Sequence, residues 1–279
     1  MTALRKLRPR TLWDVHPGPG WGPLPEMLLT LTLVTGLVDA VSILALGRVF
    51  VANMTGNVVF AGFALVGSPG FSLGASLFAL AGFLIGAYGG GFLTSRAGHD
   101  RALQIRAATA AEFGLLAMAL IVAGASGGAA ATAGTLDLAQ GAAPFGAGIT
   151  YVLALLLAIA MGIQNSVARK LAIPDLTTTV LTMTLTGIGA DSPAGRRGHV
   201  TLIRRLLVVA VMLAGGALGA WLVLNAGVVV PLALATGLLT ILATCAVLAS
   251  RKPAEWRPVA PAKPAPATAS TPAQTPPPN

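Results

Sequence analysis

Long apolar stretches alternate with short polar joints along this chain. Six stretches, at about 27–47, 71–94, 106–124, 149–169, 202–224 and 229–250, approach or exceed the roughly 20 residues that a helix needs to cross a bilayer. Two others, near 53–67 and 176–190, are shorter and more polar. They follow the first and fourth long stretches, at equivalent places in the two halves of the chain. The pattern predicts an all-α polytopic membrane bundle with six full spans and one short re-entrant or broken-helix element per half.

Composition supports the membrane reading. Apolar residues make up 55% of the chain, charged residues only 10%, and the mean hydropathy is +0.79; a soluble domain carries about 25% charged residues. The formal charge of +9 does not point to nucleic acid, because the basic residues lie in the tails and in short segments flanking apolar stretches. That distribution is topogenic. Cys245 stands alone inside an apolar stretch, which excludes a disulfide framework or a thiolate metal site. His16, His99 and His199 all fall in polar segments, so no metal site and no cofactor is expected. The first apolar stretch contains Asp39 and has no small-x-small cleavage site after it, so a cleaved signal peptide is not expected either.

Three short patterns recur in the same order. Gly36-Leu-Val-Asp39-Ala matches Gly162-Ile-Gln164-Asn165-Ser, each preceded four positions earlier by a small residue, Thr32 or Ala158. Each leads into a segment rich in Asn or Thr, which contains Asn53, Thr55 and Asn57 in the first half and Thr177, Thr178 and Thr179 in the second. Ala81-Gly82 through Gly86-Ala87-Tyr88 matches Ala214-Gly215 through Gly219-Ala220-Trp221, and Gly114-Leu-Leu-Ala matches Gly237-Leu-Leu-Thr. Together they indicate duplicated halves, at about 27–124 and 149–250, a recurrent plan among secondary transporters.

Basic residues fix the count of crossings. With eight crossings and a cytoplasmic N-terminus, Arg48, Arg96, Arg101, Arg106, Arg169 and Lys170 would all face outside. With the two short stretches not crossing, only Arg48 does, and the positive-inside bias selects six spans with both termini cytoplasmic. Three spans per half is an odd number, so the halves must run in opposite senses, as a three-plus-three inverted repeat. Outside the 27–250 domain, residues 1–26 read as a basic flexible arm with Trp13 and Trp21 as interface anchors, and 251–279 as a Pro/Ala-rich disordered tail.

Few residues inside the spans carry chemistry. Asp39 is the acid deep in a long span, where an ionised carboxylate costs about 2.5–3.5 kcal/mol on insertion scales and needs a cavity or a partner. Helical spacing puts it on one face with Thr32, Thr35, Gly36 and Ser42. Two readings stand: a proton or cation site, or an anchor that pairs with Arg48 or bonds Thr and Asn side chains to fix packing. Glu112, taken as six residues into its span, reads as a solvated or salt-bridged residue near the cytoplasmic surface. Asn53, Thr55 and Asn57, with Thr178 and Thr179 as the matching group, read either as the caps of half-helices facing a polar cavity or as a polar hairpin buried between helices, and in the first reading Gln164 and Asn165 join them on the path. The glycines Gly36, Gly82, Gly86, Gly162, Gly215 and Gly219 read as helix-packing positions, where small residues let backbones approach.

Gly36-Leu-Val-Asp39-Ala-Val-Ser42 followed by Phe50-Val-Ala-Asn53-Met-Thr55-Gly-Asn57 closely resembles the YoaK-like family of bacterial membrane proteins. The resemblance spans about 27–250 and implies a bacterial inner membrane location. It supplies no substrate, because that family is a domain of unknown function. The function expected is a secondary transporter or facilitator of an unknown small solute or ion, with the lipid bilayer as its setting, no nucleic-acid partner, and a homodimer as a further possibility. A non-transporting scaffold or assembly factor is the alternative. An intramembrane enzyme is disfavoured, since one buried acid without His or Cys partners makes no acid/base pair or nucleophile–base couple.

Overall fold

The structure, a computed structural model, describes residues 21–128, 144–173, 181–190, 196–251, 254, 256 and 257. Its regular elements there are the helices α1 (Leu24–Ala45), α2 (Met54–Leu65), α3 (Leu73–Ala97), α4 (Arg101–Ala125), α5 (Ala147–Leu171), α6 (Leu181–Ala190), α7 (Arg196–Ala226) and α8 (Val229–Ser250). Six of them, all but α2 and α6, are long and apolar enough to cross a membrane. The two short stretches became α2, of 12 residues, and α6, of 10. Thr177, Thr178 and Thr179 lie outside the described residues.

Local chemistry sets the helix ends. Pro23 and Pro25 open α1 with Glu26 in its first turn, where a missing N–H costs nothing and a negative charge suits the helix dipole. Its exit is a turn in which Gly47 and then Arg48 take left-handed backbone, φ 79° and 55°. The Ser72 hydroxyl caps α3 by accepting from Ala75 N–H at 3.2 Å. The Asp100 carboxylate caps α4, accepting from the N–H groups of Ala102 and Leu103 at 2.9 and 3.3 Å. That cap starts α4 five residues before the apolar stretch that the sequence shows, since a helix does not stop where apolar residues do. Along the spans, Thr32, Thr35, Thr109, Thr236 and Thr240 return their hydroxyl protons to the carbonyl four residues back, which keeps them satisfied without water.

The helices pack across the two halves. Along α3 and α5 the close approaches advance in step: Gly82 lies against Leu155 and Ala158, Gly86 against Ile159, and Gly90 against Ile163 and Ser166. Along α7 and α1 they do the same, Gly215 against Leu33 and Gly36, and Gly219 against Leu37 and Ala40. Each pair is therefore parallel. At these glycines a Cβ would meet the neighbour's backbone, as on Gly36, where it would stand 2.7 Å from Met212 O and Gly216 N.

These contacts match residue for residue. Gly36 faces Met212, Gly215 and Gly216, while Gly162 faces Phe83, Gly86 and Ala87. The equivalence pairs Gly86 with Gly215 and Gly90 with Gly219, which corrects the sequence match of Gly82 with Gly215 and Gly86 with Gly219 by one turn. Exchanging α1 with α5, α2 with α6, α3 with α7 and α4 with α8 maps α3·α5 onto α1·α7, α4·α5 onto α1·α8, α2·α3 onto α6·α7 and α3·α4 onto α7·α8. It leaves α4·α8 and α1·α5 mapped onto themselves. α1 and α5 are the most enclosed spans, with 67% and 56% of their apolar windows buried against 22–33% for the others.

Three chain segments meet at one end of the bundle. Arg257 pairs with Asp100, its carbonyl accepts from Arg101 N–H at 2.8 Å, and Trp256 O accepts from the Arg101 guanidinium at 3.3 Å. That guanidinium also lies 4.3 Å over the Trp21 ring, and the Trp256 indole is seated on Gly22. The tail expected to be disordered from 251 thus begins with a docked turn, Trp256 being only 7% exposed. At the opposite end Val228 N–H donates to Gly128 O at 2.9 Å, tying the α7–α8 turn to the end of α4.

Candidate functional site

The unwound segment after α1 is the centre of the candidate site. Val49 and Val51 are buried to within 1% of full enclosure, so this non-helical backbone needs partners from the protein. Two side chains provide them. Asn57 is fully buried; its Oδ1 accepts from Phe50 N–H at 2.8 Å and its Nδ2 donates to Phe50 O at 2.5 Å. Asp39 presents its carboxylate to the backbone amides of Ala52 and Val51, while its Oδ1 is buried with no hydrogen-bond partner. The Phe50 ring covers Gly56 and stacks on Phe60 at 5.6 Å between centroids, and Phe60 in turn meets Phe71 at 5.0 Å. A clasp of one acid, one amide and an aromatic stack therefore holds the backbone between α1 and α2.

The expected site residues divide. Asp39 and Asn57 meet the same segment from α1 and α2. Asn53 and Thr55 are exposed, and Asn53, at the N-cap position of α2, makes no side-chain cap bond. On α5, Gln164 donates from Nε2 to Thr35 Oγ1 at 2.7 Å, while its buried Oε1 has no partner. Asn165 instead returns its amide to Met161 O at 3.0 Å, within its own helix. Thr178 and Thr179 lie outside the described residues.

Glu112 stands differently from its sequence reading. With α4 starting at Arg101 it falls near the middle of a 25-residue helix, is 0% exposed, and has no hydrogen-bond partner for either oxygen. It is neither solvated nor salt-bridged in this arrangement. The signal that would have placed it is the N-cap pattern Asp100-Arg-Ala-Leu, which moves the helix start.

Asp39, Gln164 and Glu112 share one property: each buries an oxygen that can accept a hydrogen bond and receives none. Buried polar atoms are seldom left so. What satisfies such an oxygen chemically is a buried water, a cation, a donor-bearing solute or, on the two acids, a proton.

A family profile described as a protein of unknown function, DUF1275, matches residues 27–245. The chain is also 34% identical over 165 residues to the UPF0700 transmembrane protein YoaK of Bacillus subtilis (strain 168). That alignment covers 59% of this chain and 65% of the relative, so the chain spans a little less than two thirds of that protein's length. No solved structure matches. The profile takes in α1 from Met27 onward, all of α2 to α7 and most of α8, including the clasp, Glu112 and Gln164. The chain is a multi-pass membrane protein of the DUF1275 family.

Proposed function

We propose that this chain is a secondary transporter or facilitator of a small solute in the bacterial cytoplasmic membrane, with both termini cytoplasmic, and that it moves its solute without converting it. The observation that carries the reading is the exchange of helix contacts between the halves. The contacts of Asp100 and Arg101 with Arg257, Trp256 and Trp21, a latch, bring the start of α1, the α3–α4 turn and the residues after α8 to one end of the bundle. In that arrangement α1 leaves this end and α3 returns to it, so α2 makes no net crossing. Since α5 is parallel to α3, it opposes α1, which supports a three-plus-three inverted repeat with α2 and α6 as the short elements. Such repeats give alternating access by exchanging conformations around a central site. In this reading Asp39 and Gln164 are the contact groups and Asn57 fixes the wall of the path. Asn53, Thr55 and Asn165 line its approaches.

Ligand screening tests the reading directly. A solute bound at the path stabilises the purified protein by mass action, about 2.7 kcal/mol at a hundredfold excess over its dissociation constant. Amino acids, sugars, organic acids, nucleobases and inorganic ions are screened by thermal shift, and any hit is followed by uptake into proteoliposomes. No shift with any class and no uptake would move the assignment to the non-transporting scaffold.

A further inference from the structure

We propose that Glu112 is a proton-exchange site in the middle of the bundle. Its carboxyl group holds a proton while α4 stays packed and releases it when the packing opens to water. Three observations carry this. Glu112 is fully enclosed, both its oxygens lack a partner, and it stands midway along a span, where an unpaired ionised carboxylate is disfavoured. Nothing on the neighbouring helices neutralises it. The charged and titratable groups of the helices packed on α4 are Tyr88 and Arg96 on α3, Tyr151, Arg169 and Lys170 on α5, and Cys245 on α8. Tyr88, Arg96, Arg169, Lys170 and Cys245 are exposed, Tyr151 lies at the start of α5 against Gly74 and Phe78, and none hydrogen-bonds Glu112. On α4 itself Arg101 is engaged at the latch and Arg106 reaches Ser250 at 3.5 Å.

A surface groove lies between α4 and α8, lined by Phe113, Thr240, Thr244, Val247 and Arg251; Glu112, the residue before Phe113, lies beneath the surface and is fully enclosed. The α4·α8 interface is also one of the two that the exchange of halves maps onto itself. As the coupling acid of a carrier, Glu112 rests on the transport reading above; as a titrating group it does not.

The test is infrared spectroscopy of the full-length protein in lipid, perfused with acidic and then alkaline buffer, for wild type and Glu112→Gln. The expected result is a carbonyl stretch of a protonated carboxylic acid that disappears in alkaline buffer and shifts in heavy water, present in wild type and lost in the variant. Glu112→Asp, which should move the band rather than abolish it, keeps the test informative if the Gln variant fails to fold. Difference spectra identical in wild type and Glu112→Gln would overturn the proposal. So would a Glu112 band that persists in alkaline buffer and does not exchange with heavy water, since that describes a locked structural acid. A titrating Glu112 in a protein that moves no solute leaves this inference standing and removes the transport reading; solute transport with a silent Glu112 does the reverse.

Discussion

Gln164 of α5 donates its side-chain amide to the hydroxyl of Thr35 in α1 across 2.7 Å, and the hydroxyl passes its own proton to Leu31 O at 2.9 Å. Both residues are buried. The bond joins the most enclosed span of each half, at an interface that the exchange of halves maps onto itself.

Breaking one side of that bond should cost more than removing both. Thr35→Val leaves the Gln164 amide without an acceptor, a loss of about 1–3 kcal/mol for a buried donor. Thr35→Val combined with Gln164→Leu should recover most of it. Thermal unfolding of the two single variants and the double variant in detergent forms the cycle, and additive losses would show that the pair does not interact.

The glycines separate packing from mere helix content. Gly36→Ala places a methyl 2.7 Å from Met212 O and Gly216 N, and should destabilise by about 1–3 kcal/mol through overpacking. Gly114 has nothing near its missing Cβ, so Gly114→Ala should be neutral or stabilising by up to about 1 kcal/mol. Equal melting temperatures for the two variants would contradict the α1–α7 geometry.

Asp39→Asn should leave the protein inserted and folded, because the amide still accepts from the Val51 and Ala52 backbone while losing its charge. Uptake of whatever solute the thermal screen identifies should fall sharply. Uptake equal to wild type would reduce Asp39 to an anchor of the unwound segment.

Sidedness follows from the proposal of six crossings with both termini cytoplasmic. In a Cys245→Ala background, His99→Cys should react with an impermeant thiol reagent only from the cytoplasmic side, and Ser126→Cys only from outside. Labelling of His99→Cys from outside would overturn this sidedness, and labelling of both variants from the same side would overturn the crossing count.

Acid should open the Asp100–Arg257 latch. Burial pushes the Asp100 carboxyl up, but the Arg257 hydrogen bond, the Leu103 and Ala102 amides and the Arg257 charge outweigh it and leave it below the usual carboxylate range. With the folded value below the unfolded one, near 3.9, the contribution is complete above the unfolded value. It is lost as pH falls through the folded value. Asp100→Asn should therefore melt below wild type at neutral pH, and the gap should close below about pH 4. A gap independent of pH would show that the latch does not rest on the carboxylate charge.

What the sequence disclosed depended on how local each signal was. The spans and the two short helices were legible because apolar length is a one-dimensional property. The packing role of Gly36 and Gly162 was legible because each interrupts a bulky run. Register was not: Gly82, Gly86 and Gly90 repeat every four residues, so a stripe matches itself after a slip of one turn, and only contacts with Leu33 and Ile159 fix the frame. Glu112 was misplaced because Arg101 and Arg106 cut the apolar stretch short, although a helix capped by Asp100 runs through them. The burial of Asn57 could not be read from neighbours as polar as Asn53 and Thr55, since a hydrogen bond to Phe50 seven residues away is a tertiary fact.

The pairing of α1 with α7 and of α3 with α5 means that neither half can bury its own glycine stripes. Residue i of one half meets j of the other, and the equivalent of j meets the equivalent of i, the contact rule of a twofold subunit interface. The halves therefore meet as the two subunits of a twofold pair would, and a cut between α4 and α5 would leave the closest helix contacts, α3 with α5 and α1 with α7, to be made between two separate pieces.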